Sequence, residues 1–145
     1  MQIAAGNGEK LNTMTASWGG MGVIWDEDVV CIFVRQTRYT KEFIDGSDYF
    51  SLGFFDEEYR KKLAYLGKTS GRDEDKINKA ELTVKHENDI PYFEESDTVI
   101  LCEKLSRHFI SPEGILKEEL LDKWYADENY HDMYVGKIID VIKKK

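Results

Sequence analysis

The sequence predicts a mainly β protein with short helices, folded as a small antiparallel barrel. Apolar runs of strand length recur at irregular spacing along the chain, and short helical patterns separate them. No regular β-α-β alternation occurs, which argues against a doubly wound parallel sheet. Because closing a sheet removes its exposed edges, we expect the strands to close into a barrel.

The chain is predicted to open as a β-hairpin. Residues 1–5 form a short apolar strand, and the turn residues at 6–10 lead into a threonine-rich strand. Residues 28–34 are continuously β-branched, aromatic or apolar after Asp28, which predicts a central buried strand. A helix follows, with Thr40 as its N-cap and Gly46 at its end.

Strands and short helices continue to the end of the chain. The acidic residues at 56–58 suit the positive N-terminus of a helix, and its apolar positions recur until Gly67 ends it. The other predicted elements are a strand over 48–55, a loop over 68–73, a short helix over 74–80, a weak strand over 82–85, a strong strand over 98–105, a break at Pro112 and Gly114, a helix over 118–125 and a last strand over 133–141.

Length and composition indicate one folded domain over residues 1–145. Hydrophobic residues make up 41% and aromatic residues 12%, with only two prolines, which is typical of a globular protein. No apolar run approaches the roughly 20 residues that cross a bilayer, and no charged-then-apolar leader opens the chain. We therefore expect no membrane association.

The net charge of −8 argues against non-specific nucleic-acid binding, which needs a basic surface. An anionic ligand therefore needs a local basic pocket. The two cysteines, Cys31 and Cys102, lie in apolar strand-like contexts, which favours free buried thiols and a reducing cytoplasm. Neither a Cys-x-x-Cys nor a His-x-x-x-His pair occurs, so we expect no metal site from Cys102, His108 and His131.

The segment from Asn12 to Gly20 concentrates hydroxyls, an amide, an indole and two glycines. In an extended chain Thr13, Thr15 and Ser17 share one face, so this polar row is free to meet a ligand while Met14 and Ala16 pack inward. The adjacent glycines allow close approach of the backbone to an anion. On this segment alone, a half-buried strand ending in a turn is equally well supported.

The loop from Lys68 to Lys76 carries three cations, two hydroxyls and a glycine, a composition suited to an anion-binding nest. It is not a nucleotide P-loop, because Lys62 stands where that motif needs a glycine and a helix precedes it instead of a strand. Considered alone, the loop is better explained as a solvated segment whose acidic and basic residues pair with each other.

Five segments taken together, in order and spacing, resemble the FMN-binding split-barrel family of flavin reductases and flavoredoxin-like proteins. They are Asn12 to Gly20, Arg35 to Thr40, Tyr49-Phe50 with Phe54 to Lys61, Ser70 to Lys76 and His131 to Ile138. This resemblance spans nearly the whole chain. It implies a split β-barrel homodimer with FMN near the subunit interface. Family members usually carry a further N-terminal segment, so we expect a natural short form or a trimmed chain, with consequences for dimer contacts and cofactor retention.

The resemblance also implies a set of cofactor-binding residues. These are Asn12, Thr13, Thr15, Ala16, Ser17 and Trp18 along the flavin and its phosphate arm, Arg38, Tyr39 and Thr40 in a second segment, and Ser70, Arg72 and Lys76 in the loop. His131 and His108 are the candidate catalytic residues, with a structural or surface role as the alternative for each.

The function implied is an FMN-binding oxidoreductase of the NAD(P)H-dependent flavin reductase type, with a flavin or a protein as electron acceptor. The cofactor carries the redox chemistry in such an enzyme, so no protein acid or nucleophile is required. Two alternatives stay open: a flavoredoxin-like FMN electron carrier that does not use nicotinamide, and a non-redox ligand-binding barrel.

Overall fold

A computed structural model describes residues 1–8 and 10–145. Within this range the strands are β1 (Gln2–Asn7), β2 (Lys10–Thr15), β3 (Gly19–Ile24), β4 (Glu27–Arg35), β5 (Tyr49–Phe54), β6 (Val84–Glu87), β7 (Ile90–Phe93), β8 (Thr98–Phe109) and β9 (His131–Lys143). The helices are α1 (Tyr39–Asp45), α2 (Arg60–Lys68), α3 (Lys76–Lys79) and α4 (Glu118–Trp124), with 3-10 turns at Glu57–Tyr59 and Pro112–Gly114. Of the predicted turn at 6–10, Glu9 lies outside the described residues.

Seven of the strands form one antiparallel sheet in the order β2-β1-β5-β8-β9-β4-β3, and β6 and β7 form a separate hairpin. The prediction of a mainly β fold with short helices is confirmed. The expectation of a closed sheet is wrong, because β2 and β3 are its two edges. The Ala16 amide donates to the Met1 carbonyl at 2.9 Å, which holds the end of β2 on β1. After Ala16 the chain crosses to the opposite edge of the sheet, where β3 begins at Gly19. Because β2 and β3 do not pair with each other, the barrel stays split between them.

The main core lies inside the curved sheet. Alternate residues of β4 are buried, as period-2 alternation requires: Val30, Ile32 and Val34 are at most 1% exposed. They pack with Phe50 of β5 and Tyr134 of β9. Burying each large aliphatic side chain contributes about 1.5–3 kcal/mol, so this cluster holds the strands that frame the site.

A second apolar cluster fixes the helices outside the sheet. Leu66 of α2 packs with Ala80, Leu82 and Phe93 against Ala4 of β1. This packing places α2 and the start of α3 beside β2. The loop between those two helices therefore lies next to the residues that β2 presents.

Several predicted boundaries are wrong in an informative way. Helix α1 begins at Tyr39 after Arg38, so Thr40 lies within the first turn and is not the N-cap. Helix α2 continues through Gly67 to Lys68. Gly67 packs closely against Thr15 of β2, since an added Cβ would lie 3.1 Å from the Thr15 Cβ. Strands β3 and β7 were not predicted, and β8 and β9 are longer than predicted.

Candidate functional site

Four separate segments of the chain, the three predicted ones and His131 of β9, converge on one groove made of two adjoining cavities. The cavities have volumes of about 300 and 210 Å³ and share Met14 and Arg38. We call them together the central groove. The first is lined by Met14, Thr15, Ala16, Ser17, Trp18, Phe33, Arg35, Arg38, Gly67 and His131. The second is lined by Asn12, Met14, Thr37, Arg38, Tyr39, Thr40, Lys68, Thr69, Ser70, Gly71 and Lys76.

The second cavity contains a buried cation. Lys76 is 4% exposed, and its Nζ donates to the carbonyl oxygens of Leu66 at 2.9 Å and Thr69 at 2.8 Å. Burial, followed by the nearby charge of Arg38, lowers the pKa of Lys76 to about 8. Among the described residues, no carboxylate lies within ion-pair distance of Lys76 or Arg38. This end of the groove therefore carries positive charge that an anionic ligand can neutralise.

Arg38 is held at the junction of the two cavities. Its guanidinium donates to the Gly67 carbonyl at 3.0 Å, at the end of α2. Burial lowers the pKa of Arg38, although an arginine stays charged at any physiological pH. This contact uses only the Nη1 group of Arg38, so its other N–H groups remain available to a ligand in the groove.

Hydroxyls and a close backbone approach complete the cationic end. The Asn12 amide donates to Thr40 Oγ1 at 3.1 Å, which joins β2 to α1. At Gly71 an added Cβ would lie 2.5 Å from Asn12 Oδ1, so only glycine lets the loop pass this close. Ser70 accepts a hydrogen bond from the Arg72 amide at 3.2 Å and lines the same cavity.

The opposite end of the groove is aromatic. The Trp18 ring lies 4.6 Å from the His131 ring and meets Trp124 edge-on at 5.1 Å. His131 Nδ1 is 2.8 Å from the Tyr125 hydroxyl. Burial, with a smaller effect of Arg35, lowers the pKa of His131 to about 4. His131 is therefore neutral at pH 7 and offers a hydrogen bond, not a charge.

Most of the predicted site residues line the groove: Asn12, Thr15, Ala16, Ser17, Trp18, Arg38, Tyr39, Thr40, Ser70, Lys76 and His131. Three lie elsewhere. Thr13 is buried and donates to the Ile3 carbonyl at 2.7 Å. Arg72 is exposed and stacks over Tyr39 at the rim, where it pairs with Glu42. His108 is exposed on β8, beside Ser106 at 2.9 Å.

The expectation that the hydroxyl row of β2 is free for a ligand is wrong for its two threonines. Gln2 lies opposite Thr15 on β1, and its side chain contacts both Thr13 and Thr15 at 2.7 Å. Thr15 Oγ1 is also 2.6 Å from the Leu63 carbonyl oxygen. Gly19 and Gly20 both lie in β3 and pair with β4. At Gly19 an added Cβ would lie 2.6 Å from the Cys31 carbonyl oxygen, so this glycine allows the close pairing of the two strands.

Sequence reasoning did not assign Met14, Phe33 and Gly67 to the site. The period-2 pattern of β4 carries a usable signal for Phe33, because Val30, Ile32 and Val34 fill the core and Phe33 must face the other side. No local signal exists for Gly67, which lies in the groove only because α2 packs on Thr15.

A split antiparallel barrel with a groove that is cationic at one end and aromatic at the other defines a class of protein that binds a phosphorylated planar molecule. The buried charge of Lys76, with the Thr40 and Ser70 hydroxyls, fits a phosphate group, and Trp18 with His131 fits a flat ring. The protein belongs to the flavin reductase like domain family, whose model matches residues 2–145.

Solved structures support this assignment of the fold. An FMN-binding protein from Thermus thermophilus with bound p-hydroxybenzaldehyde is 22% identical, with a TM-score of 0.74 over 99% of this chain and 70% of its own. Flavoredoxin from Methanosarcina acetivorans is 21% identical, with a TM-score of 0.77 over 99% and 68%. Nitrilotriacetate monooxygenase component B from Bacillus cereus is 14% identical, with a TM-score of 0.77 over 99% and 68%. No curated protein matched the chain by sequence.

Over residues 1–8 and 10–145, no group of three or more His, Cys, Asp or Glu side chains is placed to hold a metal ion. No helix in that range has both the length and the apolar character needed to cross a membrane.

Proposed function

We propose that this protein binds FMN in the central groove and acts as an oxidoreductase, with NAD(P)H as the electron source and a flavin or a protein as the acceptor. The observation that carries the proposal is the pairing of a buried, carboxylate-free cation at one end with closely packed aromatic rings at the other. When bound, FMN would supply the two-electron redox chemistry that amino-acid side chains lack.

The residues of the groove have distinct roles in this proposal. Lys76, Thr40 and Ser70 hold the phosphate, and Arg38 lies between phosphate and ring. Trp18 and Phe33 contact the ring and keep water from it. His131, neutral and fixed by Tyr125, orients the ring or an incoming substrate by a hydrogen bond and transfers no proton near pH 7. His108 takes no part, because it lies outside the groove.

A flavoredoxin-like electron carrier is the second candidate. Flavoredoxin from Methanosarcina acetivorans has a closely similar fold, and the present sequence contains no Gly-x-Gly-x-x-Gly nucleotide fingerprint. The two candidates share the FMN site and differ only in whether nicotinamide reduces the bound flavin directly.

The test begins with flavin uptake. The purified protein is titrated with FMN, and quenching of flavin fluorescence reports binding. The loaded protein is then mixed anaerobically with NADH or NADPH, and the absorbance of oxidised flavin near 450 nm is followed. Rapid bleaching supports the reductase, and stable colour supports the carrier. A protein that takes up no FMN contradicts both and leaves a non-redox binding barrel.

We also propose a homodimer. Strand β3 is an unpaired sheet edge, and it presents Met21 and Val23 with 70% and 68% exposure, followed by Trp25 at 62%. An exposed apolar edge of this kind usually marks a protein interface.

We further propose that the 145 residues form one domain in a reducing cytoplasm. The strands from Gln2 to Lys143 that share one sheet support the single domain, and the two free cysteines support the reducing compartment.

A further inference from the structure

A separate cavity shares Trp18 with the central groove. It has a volume of about 380 Å³, and its walls are Trp18, Ile110, Ile115, Leu120, Trp124 and Tyr125. These residues come from the link after β2 and from the segment that leads through α4 to β9. We call this cavity the aromatic pocket. The roles proposed above make no use of it.

The walls of the aromatic pocket favour an uncharged ligand. None of the six lining side chains is charged, and the hydroxyl of Tyr125 already lies 2.8 Å from His131 Nδ1. What the walls offer is aromatic faces, aliphatic groups and indole N–H donors. The nearest cations do not line the pocket: Lys123 Nζ lies 5.1 Å from the Trp124 ring centre, and Arg35 Cζ lies 5.6 Å from the Tyr125 ring centre. An ionic ligand would therefore lose hydration against apolar walls without forming a direct ion pair with any of them, which is unfavourable.

The size and shape of the aromatic pocket favour a small planar molecule. Its volume lies in the lower part of the range for small-molecule sites. Trp18 and Trp124 meet at 88°, which forms a corner, and Tyr125 is stacked on Tyr130 at 5.0 Å. Since these rings are already packed, a flat ligand binds without a large ordering cost. Leu120 and Trp124 are 44% and 40% exposed, so a ligand can cover apolar surface.

We propose that the aromatic pocket binds a small, uncharged aromatic molecule. Trp18 is a wall of both cavities, and Tyr125 of the pocket contacts His131 of the groove. A ligand in the pocket is therefore separated from the groove by a single layer of side chains. This position suits a co-substrate of the flavin, a role that rests on the proposed function, whereas the binding itself rests on the pocket alone.

The three tryptophans supply a site-specific test by NMR. Benzamide is titrated into the 15N-labelled protein without FMN, and the indole N–H signals are followed. Trp18 and Trp124 line the pocket, and Trp25 lies in the β3–β4 turn as an internal control. We expect saturable shifts of the first two signals, with a roughly millimolar Kd as befits so small a ligand, and no shift of Trp25. Benzoate, the same ring with a negative charge, should bind at least about tenfold more weakly.

Matched variants locate the binding. Leu120→Glu places a charge on the pocket wall and should weaken benzamide binding about tenfold or more. Leu116→Glu is the control, because Leu116 is 91% exposed and does not line the pocket. If the Leu120 variant does not fold, Ile115→Phe narrows the pocket without a charge and should also weaken binding. Equal affinity in wild type and a folded pocket variant, or equal shifts of all three indoles, overturns the proposal.

Two outcomes separate this inference from the proposed function. Benzamide binding in a protein that takes up no FMN supports the pocket and contradicts the flavin function. FMN uptake without saturable benzamide binding overturns the pocket and leaves the flavin function standing. Shifts of Trp18 and Trp124 that depend on protein concentration alone would show that a second copy covers the pocket, and they also overturn the inference.

Discussion

At the scale of single residues, Lys76 is the group on which the site depends most. It is held by two backbone carbonyls, not by a carboxylate, so its charge is oriented but not neutralised. Keeping a desolvated ammonium in this state costs stability in the ligand-free protein. A phosphate that neutralises it would offset that cost, which is the reason for proposing Lys76 as a binding residue and not a structural one.

Replacing Lys76 with Met should weaken FMN binding by about 10- to 100-fold, the equivalent of one hydrogen bond to a charged group. Riboflavin, which lacks the phosphate, should bind wild type and variant equally. Flavin fluorescence titrations measure both affinities. Lys79→Met is the matched control, since Lys79 lies on the same helix, pairs with Glu74 and is 62% exposed. An equal loss for FMN and riboflavin would show that Lys76 does not act on the phosphate.

The affinity for FMN should also fall as the pH rises through about 8. The pKa of Lys76 is lowered to about 8, and a bound phosphate favours its protonated form, so binding weakens once the free protein loses that proton. FMN titrations at pH 7, 8 and 9 measure the effect, and the Lys76→Met variant should show no such dependence. A wild-type affinity that does not change over this range would contradict the assignment.

The titration of Lys76 also affects the stability of the flavin-free protein, but here a rise in pH is favourable. In the flavin-free protein the unfolded chain holds the Lys76 proton up to its ordinary pKa of 10.5, whereas the folded protein releases it near 8. The unfolded state therefore binds more protons in this window, and the Lys76 contribution to the free energy of unfolding increases with pH from 8 to 10.5.

The sequence was sufficient to predict that three segments meet at one groove, but not which of their side chains are free to bind a ligand. Gln2 reads as an ordinary residue of an apolar strand, yet it contacts the hydroxyls of Thr13 and Thr15. That contact depends on the register of β1 with β2, which no local pattern specifies. The burial of Lys76 likewise depends on two carbonyls from the preceding helix and loop.

At the scale of elements, an ion pair joins the helix at one end of the groove to the strand at the other. Lys41 follows Thr40 on α1, and Asp132 follows His131 on β9. Their side chains meet at 2.9 Å and are only 11% and 7% exposed. Gln36 also donates to Asp132 at 2.7 Å. This contact fixes the separation between the cationic and aromatic ends.

Asp132→Asn should lower the free energy of unfolding by about 1–3 kcal/mol, because Lys41 loses its buried carboxylate partner and keeps only Asp45, whose side chain is 30% exposed. Chemical denaturation measures the change. The matched control is Asp127→Asn, whose 3.6 Å pair with Arg35 involves a carboxylate that is 65% exposed, and it should change stability by less than about 0.5 kcal/mol. Equal effects of the two substitutions would contradict the role given to Asp132.

Elements with strong local patterns were predictable, and those that depend on pairing were not. The β-branched run of β4 was found directly. Strand β3 was missed because a Gly-Gly-Met-Gly sequence is typical of a loop, and it is a strand only because it pairs with β4 along its whole length. The end of β8 was missed because its residues are exposed and polar, and it extends only by pairing with the start of β9.

At the scale of the whole molecule, the open sheet leaves two unlike edges. Strand β2 is covered by α2, whose Leu63 carbonyl contacts Thr15. Strand β3 has neighbours on one side only, and its six residues are exposed or half-exposed. An uncovered apolar edge invites pairing with another chain, so the fold is incomplete as a monomer unless something protects it.

Val23→Lys should therefore convert a dimer into a monomer. Val23 is an exposed apolar residue of β3, and a lysine on an edge strand opposes pairing with a second edge, since its charge would be buried without a partner. Folding should be preserved, because an exposed side chain contributes within about 0.5 kcal/mol. Sedimentation velocity measures the change, and Leu116→Lys, at an even more exposed position away from β3, should remain dimeric. A wild-type protein that sediments as a monomer, or a Val23→Lys variant that stays dimeric, would show that β3 is not the interface.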